Sequence, residues 1–107
     1  MEYSVNEHGV PQYPKGHTGR LLVTLAAIDK LRPATATTVA ELTGLSKGNI
    51  DTYITALNAE LGTRIVKYGP EYVIESWGDV LKKAGVKKAL TVLFIRTSID
   101  ASKNGIA

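Results

Sequence analysis

The sequence predicts a mainly helical α+β fold: a three-helix core, a small β-hairpin and a helical C-terminal extension. Three observations carry that expectation. Apolar residues recur at three- and four-residue steps in two stretches, 21–31 and 50–61, as they do along one face of a helix. Pro33, Gly44 and Gly62 stand where those helices and the short one between them should stop. Two β-rich runs, 64–68 and 72–76, flank Gly69-Pro70 as strand, turn and strand.

Residues 1–17 hold Gly9, Pro11, Pro14 and Gly16 among polar side chains without either period, so they read as an irregular or mobile arm. The first helix should begin near Thr18, because Leu21, Leu22, Leu25, Ile28 and Leu31 line one face, and it should end before Pro33. Ala34-Thr35-Ala36 is brief and partly β-branched, which suits a short strand beside the hairpin. The second helix opens at Thr37-Thr38, where Thr38 and Glu41 have capping-box spacing, and stops at Gly44. Ser46 starts a third helix over 47–61, its apolar face made by Ile50, Ile54, Leu57 and Leu61. Beyond the hairpin, Gly78-Asp79 looks like another helix start, and Gly85 should interrupt it. Within 86–99, Val86, Leu90 and Leu93 fit one helical stripe and Val92, Ile95 and Ile99 a second. Leu90 to Ile95 also fits a buried strand, with helix the favoured expectation.

A chain of 107 residues supports one domain with a modest core. With no cysteine, disulfides and thiolate zinc sites are excluded. No apolar run approaches the roughly 20 residues of a membrane span, and no secretory signal opens the chain, so a soluble, cytoplasmic protein is expected. The net charge of +3 is unevenly spread. Residues 1–77 carry seven Lys/Arg against eight Asp/Glu, whereas 78–107 carry six against two, a local net of +4. A polyanionic partner would draw on that C-terminal surplus, and Lys82, Lys83, Lys87 and Lys88 are its densest part. Lys15, His17 and Arg20 form a lesser basic cluster.

The run Thr38-Val39-Ala40-Glu41-Leu42-Thr43-Gly44-Leu45-Ser46, with Ile50, Tyr53-Ile54 and Leu57 after it, resembles the winged helix-turn-helix superfamily of bacterial and phage DNA-binding proteins. The likeness covers residues 18–77. It implies that the helix from Lys47 enters the major groove of duplex DNA and that the hairpin is a wing. Ser46 would cap that helix and can hold a phosphate at its N-terminus. Lys47 reaches a phosphate or a guanine edge, Gly48 lets the backbone come close, and Asn49 can pair with adenine. Thr52, Tyr53 and Thr55 lie on the polar side, and Arg64, Lys67 and Tyr68 are the residues the wing offers. Asp51 and Glu60 on the same helix oppose a polyanion, so Asp51 either accepts from a cytosine amino group or sits in a salt bridge away from the groove.

No nucleophile–base pair, phosphate loop or metal-ligand spacing is visible, so neither catalysis nor a cofactor or metal is expected, and nothing marks an effector pocket. The expected function is sequence-specific duplex-DNA binding by a small transcriptional regulator. Residues 86–99 would join two copies, because a helix apolar on two sides needs a partner. The alternatives are a protein-interaction module and a plasmid or phage replication or architectural factor.

Overall fold

The computed structural model describes residues 4–91. Helix α1 (Gly19–Lys30) is the spine of the fold, for every other helix and the second strand pack on it. The apolar stripe of Leu25 and Ile28 is buried as expected, but so is the whole run from Val23 to Ile28. Burial on all sides, rather than along one stripe, marks a central helix. Thr24 fits that setting because its hydroxyl donates to the Arg20 carbonyl at 2.8 Å, leaving no unsatisfied polar atom in the core. After Leu31 the chain turns at Pro33, whose preceding peptide bond is cis.

Helix α2 (Ala36–Thr43) is capped one turn earlier than the Thr38–Glu41 spacing implies. Thr35 is the N-cap: its hydroxyl accepts from the Thr38 N–H at 3.1 Å, and Thr38 Oγ1 accepts from the Thr35 N–H at 2.8 Å. Two threonines serve as well as threonine and glutamate. The choice between them is tertiary, because Thr35 forms a β-bridge with Glu71 while Tyr72 donates its N–H to the Ala34 carbonyl. That contact holds Thr35 in the extended geometry an N-cap needs. The expected strand at 34–36 is therefore a single bridge that sets the start of α2. Gly44 ends α2 with φ +78°, the left-handed conformation that favours glycine.

Residues Lys47–Asn49 make one 3₁₀ turn and run on into α3 (Ile50–Glu60). Ile50, Ile54 and Leu57 are buried, as their spacing predicts, and Gly62 follows the helix with positive φ. Strands β1 (Arg64–Tyr68) and β2 (Glu71–Ser76) pair antiparallel, with Ile65 opposite Ile74, Val66 opposite Val73 and Lys67 opposite Tyr72. The Asn58 side chain donates to the Ile65 carbonyl and accepts from the Ile65 N–H, so it acts as a partner strand at that edge of β1.

The N-terminal residues are irregular, as expected, yet they are part of the core. Val10 and Tyr13 are 2% and 4% exposed. The Asn6 side chain donates to the Leu42 carbonyl, and Gln12 Nε2 donates to those of Val10 and Thr43. Leu42 and Thr43 close α2, so these amides reach carbonyls that no helical N–H can satisfy. The reading of a mobile arm is corrected for residues 4–17.

Gly78-Asp79 is a turn and not a helix start. Gly78 has φ +73°, and a Cβ there would lie 2.5 Å from the Gly62 carbonyl oxygen, so the chain presses backbone on backbone instead of coiling. Helix α4 (Lys83–Lys87) contains Gly85, which does not interrupt it, and residues Lys88–Leu90 tighten to a 3₁₀ turn. One continuous α-helix from Val86 is thus corrected: α geometry ends at Lys87. Val86, Ala89 and Leu90 are buried with α4 and the 3₁₀ turn packed on α1. The other residues proposed for the dimer face, Val92, Leu93, Ile95 and Ile99, lie outside the described residues. Among the described residues no helix is long and apolar enough to cross a membrane.

Candidate nucleic-acid interface

Helix α3 presents three faces, and its neighbours settle which is free. Ile50, Ile54 and Leu57 point into the core. At 100° per residue, Tyr53 flanks them on the side of α1, and Asp51 and Asn58 flank them on the side of the hairpin. Contacts agree: Tyr53 Oη accepts from Arg20 of α1 at 2.8 Å, Asn58 bonds Ile65, and Asp51 accepts from Tyr72. What remains outward is a strip of Thr52, Thr55, the half-buried Ala56 and Ala59, bordered by the exposed carboxylates Asp51 on one side and Glu60 on the other, with Lys47, Gly48 and Asn49 at its N-terminal end.

Ser46, Lys47, Gly48, Thr52 and Thr55 are exposed, and Asn49 is half-buried. The Lys47 ammonium meets no carboxylate, and neither the Asn49 amide nor the Thr52 hydroxyl has a hydrogen-bond partner among the described residues. Thr55 donates to the Asp51 carbonyl at 3.0 Å, one turn back along the helix. Ser46 occupies the cap position of the 3₁₀ turn, but its hydroxyl makes no capping bond. Its expected role as a side-chain cap is corrected: Asn49 takes its N–H to the Ser46 carbonyl, so the backbone closes the turn.

Asp51 is in no salt bridge among the described residues. Its Oδ1 accepts from the Tyr72 hydroxyl at 2.5 Å, joining the first turn of α3 to β2. Tyr72 is 4% exposed. Burial, then the bond to Asp51 and the carboxylate's charge, pushes the phenol up to about 12 from its ordinary 10.0. A raised pKa means folding favours the neutral phenol. The stabilisation is complete below pH 10 and is lost as pH rises through about 12. Thermal melts at rising pH should therefore show wild type losing stability across that window, while Tyr72→Phe shows a flatter profile there.

The two strands divide the expected wing residues. Lys67 shares the inner face with Ile65 and Tyr72, its ammonium 5.4 Å from the centre of the Tyr72 ring, on the side where Asp51 lies. Arg64 and Tyr68 share the outer face with Val66 and Val73, as the alternation predicts, and both are engaged by Glu75. Arg64 Nε donates to Glu75 Oε1 at 2.9 Å, and the Tyr68 hydroxyl donates to Oε2. The bonds from Tyr68 and Arg64 hold the Glu75 carboxyl below its ordinary range, and the same contact raises Tyr68. Of the three residues, Lys67 alone lies over the tyrosine whose hydroxyl bonds α3. A two-residue turn at Gly69-Pro70 sets Tyr68 opposite Glu71, but an irregularity between Arg64 and Ile65 shifts the register so that Arg64 pairs with Ser76 and reaches Glu75 beside it.

Lys82, Lys83, Lys87 and Lys88 are exposed but not equally free. Lys87 lies 3.9 Å from the Asp29 carboxylate, and Lys83 sits 5.8 Å above the Trp77 ring. Arg20, which the sequence offered only as part of a minor cluster, is the basic residue in contact with α3: Nε holds the Tyr13 carbonyl at 2.9 Å and Nη1 holds Tyr53. Lys15 is exposed, and the His17 ring stacks on Tyr13 at 4.6 Å. Among the described residues no three His, Cys, Asp or Glu side chains gather as a metal site. No family model, no curated protein and no solved structure matches this chain.

Proposed function

We propose that this chain is a winged helix-turn-helix protein that binds duplex DNA through α3 and regulates transcription, working as a homodimer. The observation that carries the reading is the outward strip of α3. Its centre is built from the small side chains Thr52, Thr55, Ala56 and Ala59, so the helix can approach base edges closely, and Lys47 and Asn49 stand without partners among the described residues at its leading end, whereas Asp51 and Glu60 lie at its borders. Phosphate contacts come from Lys47, from Lys67 on the hairpin, and from Lys82 and Lys88. The Tyr72 hydroxyl holds the Asp51 carboxylate toward the hairpin, at the border of the strip and not at its centre. Dimerisation falls to the apolar residues after Leu90, since Val86 and Leu90 are used within the chain. The test is fluorescence anisotropy with a mixed-sequence duplex at several salt concentrations. Affinity should fall linearly on logarithmic axes with a slope of about −3 to −4 for each protomer bound, as three or four phosphates neutralised per protomer require. Absence of salt-dependent binding would remove the proposal.

One observation favours a protein-interaction reading instead. The outer face of the hairpin exposes Tyr68 and Val73, at 56% and 38%, around the Arg64–Glu75 pair. An apolar patch of this kind suits a protein partner better than a phosphate backbone. Under that reading a reversed charge at Lys47 leaves binding intact.

A further inference from the structure

Tyr53 and Arg20 form a unit whose hydrogen bonding is incomplete. The Tyr53 oxygen accepts from the Arg20 guanidinium, while the phenol proton meets no acceptor among the described residues. Accepting from a cation draws electron density from the oxygen and makes the O–H a stronger donor. Among the described residues Arg20 has no carboxylate within ion-pair distance, and the Tyr13 carbonyl fixes its direction through Nε. Both side chains are half-buried, so little rotamer freedom remains to be lost on binding.

Position gives this unit a target. Tyr53 lies at the border of the outward strip of α3, on the side of α1, whereas Lys67 lies on the side of the hairpin. A helix seated in the major groove runs between two phosphate backbones: its central residues meet base edges and its flanks meet phosphates. We propose that Arg20 and Tyr53 together bind one backbone phosphodiester, the Tyr53 O–H donating to a non-bridging oxygen and the guanidinium supplying charge behind it. This rests on the duplex-binding reading above. It assigns to α1 and the N-terminal segment the backbone contact on the flank of α3 away from the hairpin.

Two variants and one readout test it, using the full chain and a mixed-sequence duplex about three helical turns long. Tyr53→Phe keeps the ring and loses the donor; its affinity should fall about fivefold with an unchanged salt slope. Arg20→Gln removes the charge; its affinity should fall further and the slope should become shallower by about 0.9, the value for one phosphate. Thermal melts identify the share of the variants that is folded. Wild-type affinity in Tyr53→Phe overturns the phosphodiester site, and a lower melting temperature with unchanged affinity does so too, since the pair then only fastens α3 to α1. An unchanged slope in Arg20→Gln overturns the role of its charge. If the wild-type chain itself shows no salt-dependent binding, the duplex-binding reading falls and the site falls with it, an outcome distinct from the others.

Discussion

Lys47→Glu should weaken duplex binding on the order of a hundredfold at low salt, about 2.7 kcal/mol, while leaving the melting temperature within a degree or two of wild type. The size follows from two effects in the same direction. A phosphate contact is lost, and a carboxylate is set against the polyanion at the leading end of α3. The absence of a stability effect follows from exposure, because Lys47 is on the surface and its ammonium pairs with no carboxylate among the described residues. Surface substitutions away from caps and ion pairs stay within roughly 0.5 kcal/mol. The contrast should shrink as salt rises and screens the charge. Affinity equal to wild type at every salt concentration would move the interaction surface elsewhere, with the outer face of the hairpin the next place to look.

Leu57→Ala should have the opposite signature. Leu57 has no exposed surface, and it lies on the face of α3 packed against α1. Truncating a fully buried leucine costs about 2–5 kcal/mol, the transfer free energy of the lost carbons plus the cavity they leave. Against a total stability of roughly 5–15 kcal/mol for a small domain, that is a large share. The melting temperature should drop on the order of 15 °C, read by circular dichroism. Duplex affinity at low temperature should change only by the fraction unfolded. A drop below a few degrees would mean that α3 is seated less deeply than its burial implies, and the outward strip would be assigned wrongly. The two variants together separate the surface that binds from the surface that folds.

Much of this organisation is local and could be read in the chain. The spacing of Leu25 and Ile28, and of Ile50, Ile54 and Leu57, places α1 and α3 with their buried sides correct. Gly44 and Gly62 mark helix ends because their positive φ favours glycine. Gly69-Pro70 sets the hairpin, whose strand β2 begins one residue earlier than the β-rich run. Tertiary choices were not legible. Thr35 and Thr38 are equal candidates for the cap until a bridge to Glu71 decides between them. Asn6 and Gln12 read as polar residues of a mobile arm, and their reason for order is a pair of helix-end carbonyls some thirty residues away.

The exposed character of Lys47, Gly48 and Thr52 followed from the helical period, and their freedom from protein partners is consistent with it. The flanks of the strip did not follow. Asp51 meets Tyr72 and Arg20 meets Tyr53 across elements whose relative placement no local pattern encodes. Tyr72 carried half a signal, since a tyrosine on the inner face of a hairpin needs a partner for its hydroxyl. It did not say which one. Arg64 and Tyr68 both bond Glu75 across the hairpin, a pairing that strand alternation alone does not give because the register shifts between Arg64 and Ile65.

Amide chemical-shift mapping of the isotope-labelled chain during titration with duplex DNA addresses the central claim most directly. Perturbations should concentrate at Lys47, Gly48, Asn49, Thr52 and Thr55, with further groups at Lys67, at Arg20 and Tyr53, and at Lys82 and Lys88, and should leave Val73 unmoved. Shifts confined to the outer face of the hairpin, or none along α3 at saturating duplex, would contradict it.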